Sequence, residues 1–161
     1  MAYCRNIFTP NTKEWFMYEA YREAKCAYNK GDCPVGAVIV KDGRIIARAH
    51  NCKELRRNPL EHAEVVAIRR AVAKLGDWRL TGCDMYVTLE PCAMCAGALV
   101  LSRIKNLYIG TRDPKSGAVV SVFNILDEVR LNHSVNYSVG ILQEECSNIL
   151  KDFFKKLRKS R

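Results

Sequence analysis

The order of predicted strands and helices constrains the fold of this chain more than any other feature. An amphipathic helix over residues 12–30 is followed by strands over 35–40 and 45–49. Asp42-Gly43 between the strands is a hairpin signal, because both central positions of a two-residue turn need positive φ. Helices and strands then alternate: helix 62–75, strand 85–89, a helix from Pro91 to Val100, strand 107–110, short helix 122–129, strand 135–139 and helix 142–155. The pattern predicts an α/β fold, a mixed five-stranded sheet with helices on both faces in three α/β/α layers.

Length and composition indicate one domain over residues 1–161. Hydrophobic residues make up 48% and charged residues 27%, as in ordinary globular proteins, so disordered and collagen-like classes are excluded. No apolar run approaches the roughly 18 residues of a membrane span, and the first residues resemble neither a secretory signal nor a transit peptide. We therefore expect a cytoplasmic protein with no membrane partner.

The chain is strongly basic. It has 26 Lys and Arg against 17 Asp and Glu, a formal net charge of +9 and a pI of about 9.2. This charge suits a polyanionic partner, of which nucleic acid is the first candidate, but a basic protein without such a partner fits equally well. The terminal helix ends in a cluster of basic side chains: Lys151, Lys155, Lys156, Arg158, Lys159 and Arg161.

Two short fragments carry metal-binding chemistry. His62 begins the first, and Cys92 and Cys95 lie in the second, with Cys92 28 residues after Glu64. Imidazole and two thiolates are good zinc ligands, and cysteines three apart at a helix start can point to one side, where the helix dipole favours thiolates. Three protein ligands are typical of a catalytic zinc that keeps a position for water. The sequence therefore predicts one Zn²⁺ per subunit in an open site.

Glu64 gives this predicted site a reaction. A zinc ion with two thiolates and one neutral imidazole has a net charge near zero, so it should acidify bound water less than an all-imidazole site. A separate base is then useful, and Glu64 lies two residues past a ligand. In this hypothesis Glu64 takes a proton from the attacking water and returns protons to a ring nitrogen and to departing ammonia.

Other interpretations of the same cysteines remain open. A redox C-x-x-C pair has the same local layout, although it leaves the His62 fragment unexplained. A structural zinc would need a fourth ligand, for which Cys33, Cys52, Cys83 and His50 are available. A chance coincidence of buried cysteines is the third interpretation. His50 and His133 stand alone, and we expect both to be hydrogen-bonded structural residues.

The H-x-E…P-C-x-x-C pattern is a known signature of zinc-dependent nucleobase deaminases. From about Trp15 to Phe154 the chain resembles the bacterial tRNA-specific adenosine deaminases of the cytidine deaminase superfamily. The stretches that carry the resemblance beyond the zinc fragments are 34–38, Asn51, 86–98, 102–104, 110–113, 115–118 and Asp152-Phe153-Phe154. The C-terminal Asp-Phe-Phe and the run after the cysteines are closest to the tRNA branch.

The resemblance implies a cytidine deaminase-type domain with a basic C-terminal helix and tail from about residue 142. It implies hydrolytic deamination of adenosine to inosine at the wobble position of tRNA anticodons, with the anticodon stem-loop as partner, in a homodimer. Carried over residue by residue, it gives His62, Cys92 and Cys95 the zinc positions and Glu64 the proton shuttle.

The resemblance also implies substrate-binding residues. Asn51 matches the residue that contacts the flipped nucleoside, and Asp113 and Lys115 fall in the loop that lines the anticodon pocket. The chain departs from the family at Leu60-Glu61, where small residues are common. Glu61 suits a helix N-terminus, and the change is expected to alter only the pocket rim.

Phe153 and Phe154 near the C-terminus are candidates for core anchors or for base-stacking platforms.

Two alternative functions come from different classes. One is a zinc-dependent deaminase of a free base or nucleotide, of cytosine or guanine type, which would not need the basic tail. The other is a catalytically silent RNA-binding subunit. The intact Glu64 argues against the second, because loss of the base is the simplest route to an inactive site.

Overall fold

The computed structural model describes residues 8–160, so Arg161 of the predicted basic end lies outside the described residues. The elements along the chain are α1 (Lys13–Asn29), β1 (Gly36–Lys41), β2 (Arg44–His50), α2 (Lys53–Arg56), α3 (Ala63–Leu75), β3 (Asp84–Leu89), α4 (Ala93–Leu101), β4 (Asn106–Thr111), a 3-10 turn (Ile125–Asp127), β5 (Asn136–Val139) and α5 (Gln143–Lys159). None of the helices in this part of the chain has the length and apolar character needed to cross a bilayer.

The five strands form one mixed sheet in the order β2-β1-β3-β4-β5. β1 pairs antiparallel with β2 and with β3, whereas β3, β4 and β5 run parallel to one another. The turn between β1 and β2 has φ of 50° at Asp42 and 71° at Gly43, which is the geometry the dipeptide predicts. The predicted mixed five-stranded sheet is confirmed.

Helices cover both faces of the sheet because the strand side chains alternate. Ala37, Ile39 and Val87 point to the face that packs against α3 and α4. Val38 and Tyr86 point to the opposite face, where α1 and α5 lie. These two buried clusters lie between the sheet and the helices on either side of it, which gives the three predicted layers.

Four features of the structure differ from what the sequence predicts. The helix predicted over 122–129 is wrong, because only a 3-10 turn forms there and the N–H of Val122 donates to the carbonyl of Gly117. α4 begins at Ala93 rather than Pro91, whose carbonyl accepts a hydrogen bond from the N–H of Ala118 in another segment. The polar loop over 51–60 contains the short helix α2, and α5 runs four residues beyond the predicted end.

Candidate metal centre and substrate pocket

The three predicted metal donors meet where two helices begin. His62 is the N-cap of α3, Cys92 is the N-cap of α4, and Cys95 lies in the first turn of α4. The Nδ1 atom of His62 is 3.7 Å from Sγ of Cys92 and 3.6 Å from Sγ of Cys95. Bond lengths of ~2.3 Å to sulfur and ~2.0 Å to nitrogen place the ligands of a tetrahedral zinc ~3.6–3.8 Å apart. The donor set therefore fits Zn²⁺ in chemistry and in spacing.

The two thiols of this group are not equivalent. A hydrogen bond from the thiol of Cys95 lowers the pKa of Cys92 to about 4, and His62 adds to this effect. The same hydrogen bond, together with burial, raises the pKa of Cys95 above its usual range. The hydrogen bond to Cys92 also raises the pKa of His62. The donor atoms of all three residues lie within 4.8 Å of one another, so a single cation can bind among them.

Glu64 lies beside the donors without belonging to them. It is the second residue of α3, it is only 3% exposed, and it lines the same pocket as His62 and Cys92. Burial raises the pKa of Glu64 to about 6. A carboxyl group in this position can hold or release a proton next to the metal donors.

A fourth protein ligand is not found among residues 8–160. Among these residues, the group of possible donors that contains His62 consists of His62, Cys92 and Cys95 alone. The thiol of Cys52 donates to the backbone carbonyl of His50, and Cys83 is buried in the core. The geometry therefore favours an open three-ligand site over a structural zinc.

A pocket of about 620 Å³ opens over this group. His62, Glu64 and Cys92 lie at its floor, and residues 111–116, here called the pocket loop, form one wall. The opposite side is lined by α5, through Ser147, Leu150, Lys151, Phe154 and Arg158. The pocket therefore joins the candidate metal centre to the basic helix.

Comparison with known proteins gives the family. A family model described as MafB19-like deaminase matches residues 10–158. The chain is 55% identical over 146 residues to the tRNA-specific adenosine deaminase of Aquifex aeolicus (strain VF5), covering 91% of this chain and 96% of that protein. It is 49% identical over 148 residues to the enzyme of the same description from Bacillus subtilis (strain 168), covering 92% of each. The chain belongs to the tRNA-specific adenosine deaminase family.

Solved structures agree with this membership of the deaminase family. A tRNA:A34 deaminase, described as editing A to I at the wobble position of transfer RNA, superimposes with a TM-score of 0.81 at 43% identity. The match covers 84% of this chain and 98% of that one. A guanine deaminase from Nitrosomonas europaea has a TM-score of 0.78 at 21% identity, covering 88% of this chain and 84% of that one, and shares the fold.

Asn51 supports the metal site of this deaminase directly. The residue is buried and lines the pocket. Its Oδ1 accepts a hydrogen bond of 2.8 Å from the N–H of Ala63, a free donor in the first turn of α3. Asn51 thus fixes the segment that carries His62 and Glu64, and its Nδ2 is the end of the side chain available to a ligand.

The two predicted loop residues of the deaminase both line the pocket, but in different ways. The Oδ1 of Asp113 accepts hydrogen bonds from the N–H groups of Lys115 and Ser116, at 3.0 and 3.3 Å. Its Oδ2 accepts from the hydroxyl of Ser116. The carboxylate of Asp113 therefore organises the pocket loop, whereas the exposed Lys115 side chain is available to a ligand.

Glu61, the departure from the family pattern, lies at the N-terminus of α3 as expected, one residue before the N-cap His62, but it does not line the pocket. Its buried carboxylate pairs with Arg69 at 2.8 Å and Arg56 at 3.0 Å, and the hydrogen bond from Arg69 is the main reason that its pKa is lowered. The residue thereby links α2 to α3.

The two isolated histidines of this deaminase are hydrogen-bonded. His50 lies with Glu23 and Cys26 in a second group of possible donors. Its Nδ1 is 2.7 Å from the Glu23 carboxylate and its Nε2 is 3.0 Å from the ammonium of Lys30, so both ring nitrogens already have partners. Nε2 of His133 lies 2.7 Å from the carbonyl of Ile104. Both histidines have the structural role that their isolation predicts.

Sequence reasoning missed two pocket residues, Glu90 and Leu150, although it named Phe154 as a candidate. Glu90 lines the pocket and is buried beneath its loop, and the only sequence signal is a charged residue at the end of a buried strand. Leu150 and Phe154 reach the pocket from α5. Phe154 is 42% exposed, whereas Phe153 packs on Tyr28 with ring centroids 5.9 Å apart, so the two phenylalanines face different surroundings.

Proposed function

We propose that this chain hydrolyses adenosine to inosine at the wobble position of tRNA anticodons, using one Zn²⁺ held by His62, Cys92 and Cys95. The observation that carries the proposal is the position of Glu64 beside this three-donor group, at the floor of a single pocket. The identity of 55% to a tRNA-specific adenosine deaminase over 91% of the chain supports the same activity.

The chain's own residues account for the proton transfers. When bound, Zn²⁺ supplies Lewis-acid chemistry that lowers the pKa of water. Glu64 takes one proton from the water that attacks C6 of adenine and delivers it to N1. It then moves the second proton to the amino group, which leaves as ammonia while C6 becomes a carbonyl carbon. Asn51 holds the start of α3, and therefore Glu64, in place.

The pocket walls suit an RNA loop better than a free base. Lys53, Arg112, Lys115, Lys151 and Arg158 line the pocket, which favours a ligand that carries phosphates. An anticodon loop offers an unpaired base that can leave the stack and enter a pocket. The exposed ring of Phe154 provides a surface on which a neighbouring base can stack. We further propose that the enzyme acts in the cytoplasm, a location that a tRNA substrate supports.

We also propose that two copies of the chain associate. α4 contacts the 3-10 turn, and large apolar side chains near these elements are exposed. Leu101 at the end of α4 is 70% exposed, and Phe123 just before the turn is also exposed. Exposed apolar side chains of this size favour a protein interface. Sedimentation of the purified protein tests this, because a monomer at micromolar concentration would contradict the proposal.

The activity is tested with an anticodon stem-loop RNA that carries adenosine at the wobble position. Free adenosine, cytosine and guanine are assayed in parallel, with the Glu64→Ala protein as the blank. We expect inosine from the RNA alone. Ammonia released only from a free base would instead assign this chain to the small-molecule deaminases.

A further inference from the structure

Glu90 is a buried carboxylate between the metal site and the pocket loop. It follows the last residue of β3 and lies two residues before Cys92, and it is 2% exposed. Its Oε1 accepts hydrogen bonds from the N–H groups of Val119, Val120 and Ser121, at 3.1, 2.8 and 2.9 Å. Its Oε2 accepts from the N–H of Asp113 at 3.0 Å and from the hydroxyl of Ser121.

The loop is packed directly on this carboxylate. A Cβ atom at Gly117 would lie 2.4 Å from Cδ of Glu90 and 2.6 Å from the carbonyl oxygen of Asp113, so only glycine fits there. A buried carboxylate whose two oxygens both accept hydrogen bonds is a strong and directional anchor for backbone N–H groups.

A continuous set of contacts leads from Glu90 to the substrate side of the pocket. Oε2 of Glu90 fixes the N–H of Asp113, and the carboxylate of Asp113 in turn fixes the N–H groups of Lys115 and Ser116. The carbonyl of Pro91, the residue after Glu90, accepts from the N–H of Ala118. The short segment that presents Cys92 therefore holds Asp113 within the pocket loop and Ala118 just after it.

We propose that Glu90 is a positioning residue for substrate binding, which holds the pocket loop at a fixed distance from the metal donors. The proposal rests on the proposed function in one respect, because it takes the loop to contact the RNA. Glu90 itself does not touch the reacting atoms. Its effect reaches the substrate through Asp113 and Lys115, so it acts on binding rather than on proton transfer.

Glu90→Gln separates this effect from general stability. The amide oxygen of glutamine can still accept from the three N–H groups at 119–121, and its NH₂ group can donate to the oxygen of Ser121. The NH₂ group offers no acceptor to the N–H of Asp113. The variant therefore loses only the hydrogen bond that anchors the pocket loop. If the loop has to be ordered during binding at the cost of about one hydrogen bond, binding weakens roughly tenfold. We expect KM for the stem-loop to rise roughly tenfold, with kcat and zinc content little changed.

Two further readouts distinguish positioning from a merely structural role. The amide hydrogen of Asp113 should exchange faster in Glu90→Gln while those of residues 119–121 stay protected. Lys115→Ala should raise KM in the wild type but add little in the Glu90→Gln background, because both changes remove the same contact with the RNA.

The matched control is Glu61→Gln. Glu61 is a buried carboxylate that precedes His62 in the chain and pairs with Arg56 and Arg69 instead of the pocket loop. This substitution should leave Asp113 exchange unchanged.

The outcomes separate this inference from the proposed function. Unchanged Asp113 exchange in Glu90→Gln, additive effects with Lys115→Ala, or lost zinc with unchanged KM would each overturn the positioning role. If Glu90→Gln does not fold, Gly117→Ala displaces the loop from the same carboxylate and should raise KM in its place. If the wild type does not act on the RNA, the proposed function fails, and amide exchange still decides whether Glu90 anchors the loop.

Discussion

At the scale of single residues, metal binding and proton transfer are assigned to different side chains. His62, Cys92 and Cys95 form the donor group, while Glu64 lies next to it with no role in that group. This separation means that substitutions can remove one property and leave the other intact.

Glu64→Ala should retain zinc and lose turnover. The substitution removes the proton shuttle and none of the three donors, so we expect deamination of the stem-loop to fall by at least about a hundredfold. Zinc measured by mass spectrometry should remain at one ion per chain. Full activity in this variant would refute the assigned role.

Cys95→Ala should lose the metal and some stability. Metal binding is coupled to folding, so loss of a buried donor in the first turn of α4 should lower the melting temperature as well as the zinc content. Cys26→Ala is the matched control, because that cysteine is exposed and lies outside the donor group of the pocket. Zinc retained in Cys95→Ala would contradict the ligand assignment.

At the scale of elements, the start of α3 depends on one side chain from the end of β2. Asn51 follows β2 and supplies the acceptor for Ala63. Asn51→Ala removes that acceptor and should cost about 1–2 kcal/mol of unfolding free energy, measured by urea denaturation. Asn51→Asp keeps the acceptor, so it should keep the stability but lose activity, because the Nδ2 donor is gone. Equal stability of all three proteins would show that the contact does not support α3.

The same scale explains how much could be predicted. The donors and Glu64 could be recognised because each fragment is local and lies at a helix start, where the spacing of residues fixes their geometry. Glu90 could not, because its partners are 23 to 31 residues away along the chain. The helix predicted over 122–129 failed for a related reason. The N–H of Ile125 bonds back to the carbonyl of Ala118, and the N–H groups of Asp127 and Glu128 bond to carbonyls only three residues earlier, so a 3-10 turn forms in place of an α-helix.

At the scale of the whole molecule, the net charge of +9 is concentrated in part on the pocket side of α5. Lys151 and Arg158 line the pocket, so they are well placed to meet phosphates of the RNA chain. Binding of the stem-loop should therefore weaken as salt rises.

Replacing Lys151 and Arg158 by alanine should reduce that salt dependence. Each lost phosphate contact lowers the slope of log affinity against log salt by about 1, so the double variant should show a slope smaller by about 2. Fluorescence anisotropy with labelled stem-loop at several salt concentrations measures the slope. Lys74→Ala, at the end of α3 and away from the pocket, is the control. An unchanged slope in the double variant would place the RNA elsewhere.

The pocket takes its floor and its walls from successive stretches of the chain. The reactive side chains lie between residues 62 and 95, whereas the pocket loop and α5 come after residue 110. Substitutions after residue 110 can therefore change which nucleic acid binds without changing the chemical reaction. A relative with the same chemistry and a different substrate needs no new catalytic residues, only a different stretch after residue 110 that packs on the same Glu90.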